Sequence, residues 1–293
     1  MGPQIESPEI SGTADGAGKF AVPADGALAD LVERYAVAEG LPSLRWLREH
    51  RLTLPVTSIS SLSSYAGFVK RAFDLVLALT ILSLLAPVMA LVALLVLCTS
   101  RGPVIFKQVR VGLNLRTLSL ERRQTPGSPP EEDLERRAGP GERRKMSAYG
   151  KPFVLYKFRT MCVDAEKDGA CFAVKGDPRI TPVGKFLRRT RLDELPQLWN
   201  VIRGEMSLVG PRPERPEFIK ELSQEIPGYL DRLRLKPGLT GLAQILNGYD
   251  NNVESFRKKV FLDLLYLQNC SPPVDLKILV QTIGVVLTGK GAL

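Results

Sequence analysis

A chain of 293 residues allows one or two domains and a sizeable buried core. Its 40 Lys and Arg against 31 Asp and Glu leave a net charge of +9, which points to an anionic partner: a nucleic acid, a phosphorylated substrate or a negative membrane surface. A single histidine, His50, leaves no basis for histidine-based catalysis or a multi-His metal site, and Cys98, Cys162, Cys171 and Cys270 lack C-x-x-C spacing, as free thiols of a reducing compartment do.

Residues 1–66 read as a largely disordered extension. The first 30 are rich in Gly, Ala, Pro and small polar residues, without the basic and then apolar opening of a signal peptide. Leu28, Leu31, Val32 and Tyr35, then Leu44, Trp46 and Leu47, recur at roughly helical spacing and predict amphipathic helices docked on the rest of the chain or on a membrane. Lys70-Arg71-Ala72-Phe73-Asp74 leads into an apolar segment, residues 75–98, interrupted only by Thr80, Ser83 and Pro87. That length suffices for a straight membrane span. Pro87 at the midpoint, however, removes a backbone bond and kinks a helix. Basic residues also lie on both sides, Lys70 and Arg71 before and Arg101, Lys107 and Arg110 after, so both ends favour the cytoplasmic face. The expectation is a re-entrant helix that enters the membrane, bends and returns.

Residues 102–112 alternate apolar and polar side chains after a turn and predict a strand, with residues 150–161 as its partner. Between them, residues 115–149 are polar, charged and rich in Pro and Gly. They read as a disordered insertion at a hairpin tip, where closure entropy penalises added length only weakly.

Thr181-Pro182 predicts the cap and first residue of a short basic helix through Arg191. A second helix is expected with Asp193 at or near its N-cap and Gly204 past its end. Pro196 falls in its first turn, and Leu195, Leu198, Trp199 and Ile202 form one apolar face. A carboxylate at a helix N-terminus is favoured in its ionised form. The same N-terminus, flanked by Arg188, Arg191 and the Arg212 of a rigid Pro211-Arg212-Pro213 turn, attracts phosphate. An ionised carboxylate beside bound phosphate can attack phosphorus. Glu194 next to it can hold Mg²⁺, which binds through one or two carboxylates plus substrate phosphates. The same residues also suit an ordinary cap beside a solvated basic face.

Further on, residues 216–235 predict a helix pair broken at Pro227-Gly228, and residues 236–244 a turn-rich loop. Residues 261–287 predict closing helices. Their Leu276-Lys277-Ile278-Leu279 stretch suits either a membrane interface or a core.

Taken together, the run Asp177-Pro178-Arg179 … Gly184 … Leu187-Arg188 … Leu192-Asp193-Glu194-Leu195-Pro196-Gln197 … Asn200-Val201 … Gly204-Glu205-Met206-Ser207-Leu208-Val209-Gly210-Pro211-Arg212-Pro213 resembles the signature of the bacterial sugar transferases. These are monotopic phosphoglycosyl transferases that load a sugar 1-phosphate onto a polyprenyl phosphate. The resemblance covers residues 69–292. It includes Gln108-x-Arg110-x-Gly112, Lys157-Phe158-Arg159-Thr160-Met161 and Pro237-Gly238-Leu239-Thr240-Gly241-Leu242-Ala243-Gln244. Three departures stand out: Ala86 precedes Pro87 where relatives carry Ser-Pro, Lys236 replaces an arginine, and Asn247-Gly248-Tyr249-Asp250 replaces N-G-R-N.

The resemblance implies an α+β, mainly helical, membrane-associated catalytic domain over residues 67–293, with one re-entrant, kinked membrane helix and a small β-hairpin. It implies transfer of a sugar 1-phosphate from a uridine-linked nucleotide sugar to undecaprenyl phosphate, the first membrane step of exopolysaccharide, capsule or O-antigen assembly. Asp193 would be the nucleophile, with Glu194 supporting it and both carboxylates holding Mg²⁺. Lys157, Arg159, Arg188, Arg191, Arg212 and Lys236 would hold phosphates or substrate, and Pro87, Pro211, Pro213, Gly238 and Gly241 would shape the backbone. The implied partners are the nucleotide sugar, undecaprenyl phosphate, membrane lipids and downstream glycosyltransferases, with no nucleic acid. The implied location is the bacterial inner membrane, with the site on the cytoplasmic face. The rival reading, a membrane-tethered basic binding protein without chemistry, leaves the pairing of Asp193-Glu194 with Pro-Arg-Pro unexplained.

Overall fold

The computed structural model describes residues 67–113, 149–165, 167, 176–226, 228–247 and 253–288. The extension 1–66 with its expected helices, and the expected insertion apart from Tyr149, lie outside these residues. What is described is mainly helical, with two small sheets.

Helix α1, Phe68–Thr99, is 32 residues long and begins before the apolar segment. Lys70, Arg71 and Asp74, expected as a polar flank, form its first two turns, and Lys70 and Asp74 are buried. Pro87 lies inside the helix. Among the described residues, α1 is the one helix long and apolar enough to cross a membrane, judged by length and composition. One side of it packs inward through Ala78, Val92 and Val96. Val76, Leu84, Leu91, Leu94 and Leu97 remain exposed.

The expected hairpin forms from β1, Ile105–Val111, and β2, Pro152–Phe158, paired antiparallel with Lys107 opposite Tyr156 and Val109 opposite Val154. Its open end closes where the Gly112 N–H donates to the Lys151 carbonyl and the Lys151 N–H to that of Leu113. Phe153 and Leu155 of β2 point into the main core. They meet Leu198 and Val201 of α3 (Gln197–Arg203), Phe261 and Leu265 of α6 (Val253–Asn269), and Ile278 of α7 (Pro272–Thr288). Each fully buried Leu or Phe there contributes about 1.5–3 kcal/mol of transfer free energy. Phe158, at the end of β2, joins Val92 and Val96 of α1 and Leu187 of α2 (Pro182–Arg189).

A second sheet is absent from the sequence expectations. Strand β3, Ser207–Val209, for which no element was expected, pairs in parallel with β4, Gly238–Thr240, which lies inside the expected turn-rich loop. Each strand has only three residues, too few for an alternation pattern to register. The pairing brings two glycines together: a Cβ on Gly238 would collide with the Gly210 backbone, and one on Gly241 with the Gly210 carbonyl.

Residues 216–235 divide into α4, Pro216–Glu225, and a 3₁₀ helix, Tyr229–Arg234, with Gly228 in a left-handed conformation (φ 71°) between them. Helix α5, Leu242–Leu246, follows β4. The closing helices break at Cys270-Ser271, and α7 turns Asp275 and Ile278 inward. Leu276, Val280, Ile283 and Leu287 form an exposed apolar stripe.

Candidate active site

The site forms where a turn, a strand end and a proline-flanked loop converge. Thr181 caps α2 as expected, its hydroxyl accepting the Gly184 N–H at 2.9 Å. The helix ends at Arg189, and Arg191 then adopts a left-handed conformation (φ 57°), unique among the described non-glycine residues. This reversal replaces the expected N-cap. Leu192–Glu194 form a 3₁₀ turn closed by Glu194 N–H to Arg191 and Leu195 N–H to Leu192, and α3 starts only after Pro196. Asp193 is therefore presented by a tight turn and not by a helix dipole. Gly204 ends α3 in a left-handed conformation (φ 80°), where the sequence placed it.

Glu194 is enclosed by cations. Arg212 Nη2 donates to Oε1 at 2.8 Å and Nη1 to Oε2 at 3.4 Å. Lys157 Nζ lies 3.5 Å from Oε1 and Arg191 Nη1 4.0 Å. Burial alone would raise its pKa, but the charges of Arg212 and Lys157 outweigh burial and hold Glu194 well below the usual carboxylate range. Asp193 differs. It is 6% exposed, and its Oδ1 is buried without a hydrogen-bond partner. Burial and the adjacent Glu194 charge push its pKa up to about 6, against the pull of Lys157, Arg188 and Arg191. Two neighbouring carboxylates thus sit in opposed environments: Glu194 is held ionised by its cation partners, and Asp193 keeps an oxygen without a partner. Lys157 itself is lowered to about 8, burial outweighing Glu194.

Arg188 is tethered by Nε to the Thr160 hydroxyl at 2.9 Å and acts on Asp193 through its charge. Pro211 and Pro213 bracket Arg212. The Pro211 carbonyl accepts the Gly238 N–H, and that of Pro213 accepts Arg110 Nη1. Lys157, Arg188, Arg191 and Arg212 are thus brought together around the two carboxylates. Arg159 and Lys236 are not. Arg159 buries its guanidinium against the end of α1, donating to the Ser100 carbonyl at 2.7 Å and the Arg101 carbonyl at 2.8 Å. Lys236 sits beside Gly204 and Arg71, its pKa lowered by burial and by Arg71.

Several residues of the surroundings carried no sequence-based role. Asn200, fully buried, accepts the Tyr156 N–H and donates to the Val154 carbonyl and to Glu205, fixing α3 against β2. Glu214 pairs with Lys259 and lies 3.6 Å from Arg110. Arg232 and Asp263 form a buried ion pair at 2.7 Å, while Arg232 also donates to the Arg212 carbonyl. Asn200 lies within the recognised motif, yet only a fold reveals a contact 46 residues away.

Among the described residues, no cluster of three or more His, Cys, Asp or Glu could hold a metal. The donor set is two adjacent carboxylates, one with a free buried oxygen. Glu194 already pairs with Arg212, so Asp193 Oδ1 is the oxygen left for a cation; Mg²⁺ can bind through a single carboxylate and complete its shell with phosphates and water.

The model of the family described as bacterial sugar transferase matches residues 65–127 and 137–289. A UDP-N-acetylgalactosamine-undecaprenyl-phosphate N-acetylgalactosaminephosphotransferase of Aeromonas hydrophila is 38% identical over 226 residues, covering 77% of this chain and 45% of the relative. A putative undecaprenyl-phosphate N-acetylgalactosaminyl 1-phosphate transferase of Bacillus subtilis is 40% identical over 182 residues, 60% of this chain and 82% of the relative. A UDP-glucose:undecaprenyl-phosphate glucose-1-phosphate transferase of Caulobacter vibrioides is 37% identical over 225 residues, 76% of this chain and 71% of the relative. The chain thus spans less than half the length of the Aeromonas relative.

Proposed function

Because this chain belongs to the bacterial sugar transferase family, we propose that it transfers a sugar 1-phosphate from a UDP-sugar to undecaprenyl phosphate and releases UMP. The observation that carries the mechanism is the asymmetry of the two carboxylates: Glu194 is held by Arg212 and Lys157, while Asp193 Oδ1 has no partner. Asp193 attacks the sugar-bearing phosphorus, a P–O bond to Asp193 forms, and the bond to the second phosphate breaks. UMP leaves with that bonding pair. A phosphate oxygen of undecaprenyl phosphate then attacks the same phosphorus and displaces Asp193, restoring the carboxylate.

Arg188, Arg191 and Lys157 offset the negative charge around Asp193 during the attack. Mg²⁺ held by Asp193 would supply further charge neutralisation of the diphosphate. The lipid-linked sugar phosphate is then a substrate for downstream glycosyltransferases.

The setting we propose is the bacterial inner membrane, with α1 re-entrant and the site on the cytoplasmic face. Contacts at both ends of α1 support this. Lys70 pairs with Asp275 at 2.5 Å, Arg71 donates to the Val201 and Ile202 carbonyls, and at the far end Arg159 holds Ser100 and Arg101. A straight 32-residue helix is about 48 Å long, which would place its ends on opposite sides of a bilayer core of about 30 Å. Residues of one catalytic domain hold both ends. The exposed apolar side chains of α1 and the stripe on α7 suit membrane lipid.

The test is a panel of UDP-sugars incubated with the purified protein, Mg²⁺ and undecaprenyl phosphate, reading released UMP. Release with one or a few sugars is the expected result. No release with any of them would refute the assignment.

A further inference from the structure

The leading turns of the membrane helix reach both halves of the site. Arg71 of α1 donates to the Val201 carbonyl at 2.5 Å and the Ile202 carbonyl at 2.7 Å, near the end of α3. Helix α3 begins three residues after Glu194, so Arg71 fixes the element that continues from the carboxylates. One turn along α1, Asp74 Oδ1 accepts the Leu208 N–H at 3.1 Å. On the opposite edge of β3, β4 takes the Ser207 and Gly210 N–H groups, which donate to Pro237 and Thr240. Asp74 thus occupies the place of a second neighbouring strand. Four residues beyond Leu208 is Arg212, whose guanidinium forks onto Glu194.

This arrangement is locked from behind. Asp275 Oδ2 accepts Lys70, and Asp275 Oδ1 accepts the Tyr266 hydroxyl at 2.6 Å. The same hydroxyl lies 3.3 Å from the Val209 carbonyl of β3. Lys70, Asp74, Tyr266 and Asp275 are all at most 5% exposed. Buried charges are costly unless paired, and here the polar contacts link the membrane helix to α7 and β3, with Tyr266 of α6 bridging α7 and β3.

We propose that Asp74 and Arg71 are positioning residues that set the separation between Glu194 and Arg212, one holding the strand before Pro-Arg-Pro and the other the helix after Asp193-Glu194. The catalytic fork is therefore assembled on the membrane helix, and its geometry depends on how the leading end of α1 is seated. This rests on the reading of Arg212 and Glu194 as substrate-site residues.

The test is a double-mutant cycle pairing Asp74→Ala with Arg212→Lys, read as kcat/KM for the UDP-sugar and, separately, as UDP binding by calorimetry. A misplacement near 1 Å costs up to about 100-fold in rate, so Asp74→Ala alone is expected to lose roughly ten- to hundredfold. In the Arg212→Lys background, where the fork is already gone, the same change should cost less than about threefold. Asp74→Asn keeps an oxygen acceptor for Leu208 and should stay within about threefold of the parent protein. Should Asp74→Ala fail to fold, Arg71→Lys, which keeps the charge and loses the fork, replaces it in the cycle. Additive losses, or Asp74→Asn as damaging as Asp74→Ala, would overturn the inference. A parent protein without transferase activity would refute the proposed reaction instead, and the UDP-binding cycle would still decide the positioning role.

Discussion

Glu194 and Arg212, eighteen residues apart in sequence, meet through two guanidinium contacts of 2.8 and 3.4 Å, while Asp193 beside Glu194 keeps a buried oxygen without a partner. The pairing neutralises one carboxylate and leaves its neighbour available.

Arg212→Ala should lower turnover by about 10²- to 10³-fold, the usual loss on removing a charge-stabilising donor. Arg212→Lys should recover little of it, because an ammonium cannot reproduce the fork. Folding should respond as well. Glu194 has a folded pKa below its unfolded value, so its contribution to stability is present above about pH 4.5 and is lost as pH falls through the folded value. Arg212→Ala should weaken that acid dependence. Urea unfolding of both proteins between about pH 3 and 7 checks it; identical pH slopes would contradict the pairing.

Asp193 has the opposite sign. Its folded pKa of about 6 lies above the ordinary 3.8, so ionising it costs stability as pH rises through that interval. Asp193→Asn should therefore abolish turnover yet stabilise the fold at pH 7, by on the order of 1–3 kcal/mol. The rate profile of the parent protein should fall on its acid side near pH 6 as the nucleophile is protonated. Thermal melts and a pH–rate profile are the measurements. A destabilised Asp193→Asn would show that burial does not strain this carboxylate.

The expectations taken from the sequence succeeded where the signal was local. Thr181-Pro182 capped α2, Gly204 closed α3, and alternation placed the first strand of the hairpin, because each depends on neighbours a few residues away. Arg191 could not be read, since arginine rarely takes positive φ and only the surrounding packing imposes it. Lys70 and Arg71 were taken as membrane-flanking charges because their partners lie 205 and 130 residues away. Strand β3 was too short to register, and β4 lay inside a stretch read as a turn-rich loop. Arg159 shares a motif with Lys157 but serves the end of α1.

Deleting residues 115–149 and joining Asn114 to Gly150 should leave a folded, active protein. Lys151 already bonds Gly112 and Leu113 across the open end of the hairpin, so a short connection suffices. Soluble yield, circular dichroism and UMP release report the result. Loss of all three would mean that the segment packs into the domain.

The re-entrant arrangement predicts that both ends of α1 are shielded from outside the cell. Single cysteines at Gly67 and Arg101, in a background with Cys98, Cys162, Cys171 and Cys270 all replaced, suit labelling in intact spheroplasts. Gly102 is unsuitable, since its φ of 114° and the nearby Arg159 guanidinium leave no room for a side chain. An impermeant reagent should label neither position until the membrane is opened. Labelling of either from outside would establish a straight span.

Whether Asp193 forms a covalent bond to phosphorus is decided by a reaction that omits the lipid acceptor. The protein is mixed with labelled UDP-sugar and Mg²⁺, quenched rapidly and digested. Stoichiometric release of UMP, with the sugar phosphate mass on the peptide containing Asp193, is the predicted result. Release of UMP only after undecaprenyl phosphate is added, with no adduct at any quench time, would contradict the two-step account and leave direct transfer between the substrates.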